Sequence, residues 1–143
     1  MPTLLFIPGL LLTPRLYDAQ VAALRGRYSI AFADTFGMNS ITAMAEKALA
    51  SVDGDIIPIG LSMGGYVSLE IARLAPQRLR AIVAMDSNAT TDSPERKAER
   101  KRLIEMSSIG KFRGVPKTLL PQFIAEANLD DETITHFRQG YLK

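Results

Sequence analysis

The sequence predicts an α/β protein with a mostly parallel sheet and helices on both faces. Three observations support this fold class: short apolar runs alternate four times with helical patterns, the connections between them are short, and the first run is apolar at nearly every position, as in strands buried on both faces. With 143 residues, 47% of them hydrophobic, the chain has enough apolar side chains for one domain with a sizeable core.

Each predicted strand of the first part is followed by a recognisable boundary or helix. Thr13 is expected to cap the first helix, whose helical spacing is carried by Leu16, Ala19, Gln20, Ala23 and Leu24. Ser40 is expected to cap the second, whose apolar stripe is Ile41, Met44, Ala45, Ala48 and Leu49. The third helix follows its strand directly and ends before Pro76, because proline cannot continue a helix. The face that it packs consists of Gly64, Val67, Ser68, Ile71, Leu74 and Ala75. The four predicted strands cover residues 3–7, 28–33, 55–59 and 79–85.

After Asp86 the pattern changes to helices alone. These are predicted over residues 93–108, 117–127 and 131–141, and the charged stretch 95–102 is expected to be a solvated helix face. We therefore divide the chain into an N-terminal sheet core, residues 1–89, and a helical cap or insertion, residues 90–143.

Composition narrows the classes of partner. The net charge is only +2 and both signs are interspersed, so a nucleic-acid partner is not indicated, and the absence of cysteine excludes disulfides and thiolate chemistry. No apolar run is long enough to span a membrane; the run from Leu4 to Leu12 lacks a basic leader and is broken by Pro8-Gly9, which argues against a signal peptide. We expect a soluble protein with no membrane partner, cytoplasmic by default.

The motif with the clearest chemical meaning is Gly60-Leu61-Ser62-Met63-Gly64, which lies between the third strand and its helix. A strand-to-helix elbow of this type exposes a serine hydroxyl for nucleophilic attack, and the elbow glycines Gly60 and Gly64 make the bend sterically possible. Ser62 is therefore the candidate nucleophile. The alternative is a glycine-rich turn that only tightens strand–helix packing.

Acyl transfer also needs donors for the oxyanion, and backbone N–H groups can supply them. The candidates are Met63, directly after the serine, and Leu10, in the loop that Pro8-Gly9 opens after the first strand. Both loops open into one crevice only if the first and third strands are neighbours. Pro8-Gly9 could otherwise be a simple strand-ending turn.

With these motifs the chain resembles the α/β-hydrolase fold enzymes, in particular small serine esterases similar to the carrier-protein pimeloyl methyl ester carboxylesterases. The resemblance implies a cofactor-independent serine hydrolase, without a metal, that acts on a carboxylic ester or related small acyl substrate. The segments that carry it are residues 6–10, 34–37, 60–66, 75–79 and 85–87.

The same resemblance places the acid and the histidine of the triad after strands that follow the cap, and thus beyond Lys143. The chain then corresponds to the N-terminal part of a hydrolase with an incomplete cap, and we expect it to be inactive alone. Asp86 is a candidate acid, its alternative being a loop-capping aspartate, and His136 a candidate base, its alternative being an ordinary cap histidine. A rival interpretation is a noncatalytic α/β binding module or an inactive hydrolase fragment.

The fourth predicted strand carries Ile82 and Val83 and would form an exposed apolar edge without further strands beside it. We expect this edge to pair with a second copy of the chain or with strands supplied by another chain.

Overall fold

A four-stranded, fully parallel sheet with the order β2-β1-β3-β4 forms the centre of the first part of the chain. The computed structural model describes residues 1–108 and residue 126. Its strands are β1 (Thr3–Ile7), β2 (Ser29–Phe32), β3 (Ile56–Leu61) and β4 (Val83–Met85). Its α-helices are α1 (Asp18–Leu24), α2 (Ile41–Ala50), α3 (Met63–Leu74) and α4 (Pro94–Ser108).

Strand β1 is central because β2 and β3 pair with it on its two sides. Its side chains alternate between two separate apolar clusters, since successive residues of a strand point to opposite faces. Leu5 and Ile7 pack with helices α2 and α3, whereas Leu4 and Phe6 pack with the segment that contains α1. The predicted fold class, a parallel sheet with helices on both faces, is confirmed.

Helix α2 forms as its sequence predicts. The Ser40 hydroxyl accepts the backbone N–H of Ala43 at 3.1 Å, which satisfies one of the donors left unpaired at a helix start. The predicted stripe faces the sheet, with Met44, Ala45 and Ala48 buried. Helix α3 likewise buries its predicted face and ends before Pro76.

The first helical segment differs from the prediction in its phase. It begins with a 3₁₀ turn, Pro14–Tyr17, and only then becomes α1. Because a 3₁₀ turn has about three residues per turn, it shifts the inward face, and Tyr17 and Val21 are the buried residues of this segment. Thr13 lies at the predicted N-cap position, directly before Pro14, but its side chain makes no capping hydrogen bond.

Strand β4 is shorter than the predicted 79–85. Leu79 forms one isolated bridge to Ile56, and pairing resumes only where Val83 meets Ile59. The difference in residue number between paired residues therefore grows from 23 (79 − 56) to 24 (83 − 59). The segment that leads into β4 thus contains one extra residue relative to β3, as in a β-bulge. Pro58 explains the interruption. The Ile56 carbonyl accepts the Arg80 N–H, so the backbone groups of Ile56 point towards β4. Every second residue of a strand points the same way, so Pro58 also faces β4, but it has no N–H to donate there.

Val83, on β4, is 41% exposed, and among the described strands β4 pairs with β3 alone. Pairing of this edge with a second copy or another chain stays a prediction.

The chain divides into two units, Met1–Ala89 and Thr90–Lys143. In the second, α4 begins where the sequence predicts, and Ser93 Oγ accepts the backbone N–H of Arg96 at 3.3 Å. The helices predicted over 117–127 and 131–141, and with them His136, lie outside the described residues, residue 126 apart. Within the described ranges no helix is both long and apolar enough to cross a membrane.

Candidate active site

The turn between β3 and α3 consists of a single residue, Ser62. Its backbone has φ 51° and ψ −112°, outside the usual helical and extended regions for a residue with a side chain. Such a conformation costs on the order of 1–3 kcal/mol and persists only where the surroundings impose it. The residue is exposed, so its hydroxyl lies where a substrate could reach it.

Both predicted elbow glycines lie in contacts that no side chain fits. A Cβ on Gly60 would lie 2.1 Å from the carbonyl oxygen of Gly64, and a Cβ on Gly64 would lie 2.0 Å from the carbonyl oxygen of Ile7. Since the obstructing atoms belong to the backbone, they cannot swing aside as a flexible side chain would. The missing Cβ atoms thus allow β3, the first turn of α3 and the end of β1 to approach one another closely.

The end of β4 and the residues after it hold Ser62 through hydrogen bonds to the backbone of that serine. The Ser62 N–H donates to the Met85 carbonyl at 2.9 Å. The one hydrogen of the Ser87 hydroxyl is shared between two acceptors, the carbonyl oxygens of Ser62 (2.7 Å) and Met85 (3.0 Å). Gly65 permits this contact, because a Cβ there would lie 2.0 Å from Ser87 Oγ. Ser87 was not predicted as a site residue, because the Gly64-Gly65 pair indicates a close neighbour but not which residue it is.

The loop after β1 lies beside the elbow. A Cβ on Gly9 would be 3.3 Å from the carbonyl oxygen of Leu61 and 3.6 Å from Ser62 Cβ. The Leu12 N–H donates to the Gly9 carbonyl at 3.1 Å, which closes a turn with Leu10 at its exposed second position. Leu11, at the third position, has φ 60°, the left-handed value that a type II turn requires there.

The strand order therefore brings the two predicted loops together. Because β1 and β3 are parallel neighbours, the Gly9–Leu10 turn and the Ser62–Met63 elbow both follow carboxyl ends of adjacent strands. The chain reverses direction at this point, moving from β2 on one side of β1 to β3 on the other. Crevices at such switch points are where open α/β sheets bind ligands.

Of the candidate acid and the candidate base, the structure describes only the acid. Asp86 follows β4 at the same edge of the sheet, with an exposed side chain and φ 51°. His136 lies outside the described residues. Their assignments as acid and base stay predictions.

Asp34, in the loop after β2, has a structural environment. Its carboxylate accepts the Phe36 N–H at 3.0 Å and forms an ion pair with the Lys47 ammonium at 2.7 Å. The hydrogen bond from Lys47 is the main cause that lowers the pKa of Asp34. Across the described residues, no group of three or more His, Cys, Asp or Glu side chains is arranged to hold a metal ion.

No protein-family model and no curated protein matches the sequence. Among solved structures, a thermophilic esterase from Thermogutta terrifontis, with malate bound, superposes with a TM-score of 0.83 and 25% sequence identity over 100% of this chain. The chain has an α/β-hydrolase fold. It spans 58% of the length of that esterase.

Two more distant structures have the same fold. An extracellular α/β-hydrolase from a Paenibacillus species, which shares structural and functional homology with tobacco salicylic acid binding protein 2, has a TM-score of 0.68 at 18% identity, over 90% of this chain and 63% of its own. A hydrolase from Pseudomonas aeruginosa PA01 has a TM-score of 0.59 at 23% identity, over 87% of this chain and 54% of its own. The narrower resemblance to carrier-protein methyl ester esterases stays a prediction.

Proposed function

We propose that the protein is a serine hydrolase that cleaves a carboxylic ester or a related small acyl substrate. The observation that carries the proposal is the exposed, strained Ser62 at a strand-to-helix elbow of an α/β-hydrolase fold, next to the turn after β1. Similarity to an esterase over the whole of this chain supports the same reaction class.

In this proposal the Ser62 hydroxyl oxygen attacks the carbonyl carbon of the substrate and gives up its proton to a base. The negative charge that develops on the carbonyl oxygen is stabilised by the N–H groups of Leu10 and Met63, one from each loop. The tetrahedral intermediate collapses, the alcohol leaves with a proton, and water then hydrolyses the acyl-enzyme at the same place. No cofactor enters these steps.

The proposed reaction also needs a base that accepts the proton of Ser62 and an acid that orients this base. The sequence contains one histidine, His136, so residues 1–108 include none. We keep the expectation that both groups follow residue 143, with Asp86 as the alternative acid. The comparison that supports this is the esterase, of whose length the chain spans 58%.

Replacing the nucleophile tests the proposal directly. In the native gene product that contains residues 1–143, Ser62→Ala is expected to abolish hydrolysis of 4-nitrophenyl acetate while the far-UV circular dichroism spectrum is unchanged. Ser29→Ala is the matched control, since Ser29 is exposed on β2. Loss of a triad serine commonly lowers kcat by about 10⁶-fold. Equal hydrolysis by wild type and Ser62→Ala would refute Ser62 as the nucleophile, and no hydrolysis by wild type would favour a noncatalytic binding module.

A further inference from the structure

Tyr17 is a buried phenol that the proposed reaction does not use. The residue is 1% exposed, and its ring packs against that of Phe6 with the centroids 4.7 Å apart. Its hydroxyl donates a hydrogen bond to the carbonyl oxygen of Ile7 at 2.8 Å. A buried hydroxyl placed on a backbone carbonyl fixes the orientation of that peptide group.

The same carbonyl is also the last acceptor of the β1–β3 ladder: Thr3 N–H donates to Asp55 and the last pair is Ile7 with Gly60, a register that brings the Leu61 N–H to Ile7. A carbonyl oxygen has two lone pairs, so Ile7 accepts both hydrogen bonds at once. Burial raises the pKa of Tyr17 to about 12, more than the nearby backbone of Leu61 lowers it, so the phenol stays protonated and able to donate at neutral pH.

Ile7 and Leu61, the acceptor and donor of this last ladder bond, occupy equivalent places at the ends of their strands. Ile7 is the last residue of β1, directly before Pro8, Gly9 and Leu10. Leu61 is the last residue of β3, directly before Ser62 and Met63. The β1–β3 pairing ends at Ile7 and Gly60, so the phenol holds the β1 carbonyl just where the ladder between the strands ends.

The position of this bond matters because the two proposed oxyanion donors lie on separate segments. Leu10 belongs to the β1 segment and Met63 to the β3 segment. A donor stabilises an oxyanion only when it is already in place, and a misplacement of about 1 Å can cost on the order of 10²-fold in rate. Ile7 is also the residue whose carbonyl packs against Gly64, in the first turn of α3.

We propose that Tyr17 is a positioning residue whose hydroxyl sets the spacing between the two halves of the oxyanion hole. The inference rests on the proposed function, and it assigns a role to a side chain that contacts neither the substrate nor the nucleophile. Its effect is on kcat, since the oxyanion forms only after the substrate has bound.

The test is Tyr17→Phe, which removes the hydroxyl and keeps the ring on Phe6. The matched controls are Tyr28→Phe, the same chemical change before the amino end of β2, and Ile71→Val, a buried change in α3. In the native gene product, two quantities are measured for each: kcat and KM for 4-nitrophenyl acetate, and amide hydrogen exchange at Leu61.

We expect Tyr17→Phe to lower kcat by about 10- to 100-fold with KM within about twofold. Leu61 is expected to exchange on the order of tenfold faster, because the Ile7 carbonyl that accepts its N–H is no longer held by the phenol. Both controls should stay within about twofold of wild type in kcat. An unchanged kcat in Tyr17→Phe, or an equal fall in Ile71→Val, would overturn the inference.

The two proposals fail in different ways. If wild type does not hydrolyse the ester, or if Ser62→Ala hydrolyses it equally well, the proposed function fails. The exchange rate at Leu61 is measured without turnover: slower or unchanged exchange in Tyr17→Phe would by itself refute the coupling between the phenol and the elbow.

Discussion

Replacing Gly64 by alanine tests the closest backbone approach in the site. The added Cβ would lie 2.0 Å from the carbonyl oxygen of Ile7, 2.8 Å from its carbonyl carbon and 3.0 Å from the carbonyl oxygen of Pro8, whereas ordinary contact begins at 3.4 Å. Helix α3 and the end of β1 would have to separate by about 1.4 Å (3.4 − 2.0) to admit it. The Tyr17 hydroxyl resists this movement because it holds the same carbonyl.

Overpacking of this kind costs about 1–3 kcal/mol of stability. We expect Gly64→Ala at the upper end of this range, because the atoms that the Cβ would meet belong to the backbone of Ile7 and Pro8 and cannot rotate away. Alanine recovers about 1 kcal/mol over glycine within a helix, so a net loss of about 2 kcal/mol is expected. Gly26→Ala is the matched control: nothing lies within 4 Å of a Cβ there. It should gain about 0.4–1 kcal/mol by restricting the unfolded chain.

The assay is urea denaturation of both variants followed by far-UV circular dichroism. A total difference near 3 kcal/mol separates the two midpoints by about 1–3 M urea for a small domain. If Gly64→Ala were as stable as Gly26→Ala, the close approach of α3 to β1 would be wrong, and with it the placement of the two loops beside each other.

Two further predictions concern the residues that hold the elbow. Ser87→Ala should cost about 1 kcal/mol and slow the labelling of Ser62 by a fluorophosphonate, because the strained carbonyl loses its donor; Ser51→Ala, which removes a hydroxyl bonded to a backbone carbonyl in α2 at 2.8 Å, should leave labelling unchanged. Equal labelling rates in the two variants would contradict the role of Ser87. The pH dependence of stability tests the burial of Tyr17, whose phenol is neutral when protonated. Folding raises its pKa from 10.0 to about 12, so its contribution to the free energy of unfolding is fully present below pH 10 and is lost as the pH rises to about 12. Stability should fall by up to about 3 kcal/mol over that interval and less steeply in Tyr17→Phe, and parallel curves for the two proteins would refute this.

Much of the fold could be predicted because its signals are local. The run Thr3–Ile7, the Ser40 cap and the stripe of α2 depend on side chains close together in sequence, and the structure confirms all three. The placement of the elbow serine between β3 and α3 follows from one short motif in the same way.

The features that could not be predicted depend on distant partners. The early end of β4 pairing is caused by Pro58 on another strand, which lacks the N–H that residues 80–82 would need. Tyr17 and Val21 are buried although they lie outside the predicted stripe, because a 3₁₀ turn changes the phase of the helix; Leu16 and Leu24 of that stripe pack beside them, partly buried. The Ser87 contact with Ser62 joins residues 25 positions apart and has no local pattern.

The most direct test of the central claim is to identify the residue that a fluorophosphonate modifies in the native gene product. The modified protein would be digested and its peptides sequenced by mass spectrometry, with Ser62→Ala treated in parallel. We predict a single adduct on Ser62 that is absent from the variant. An adduct on another residue, or an unmodified Ser62, would contradict the assignment of this elbow as the site of nucleophilic attack.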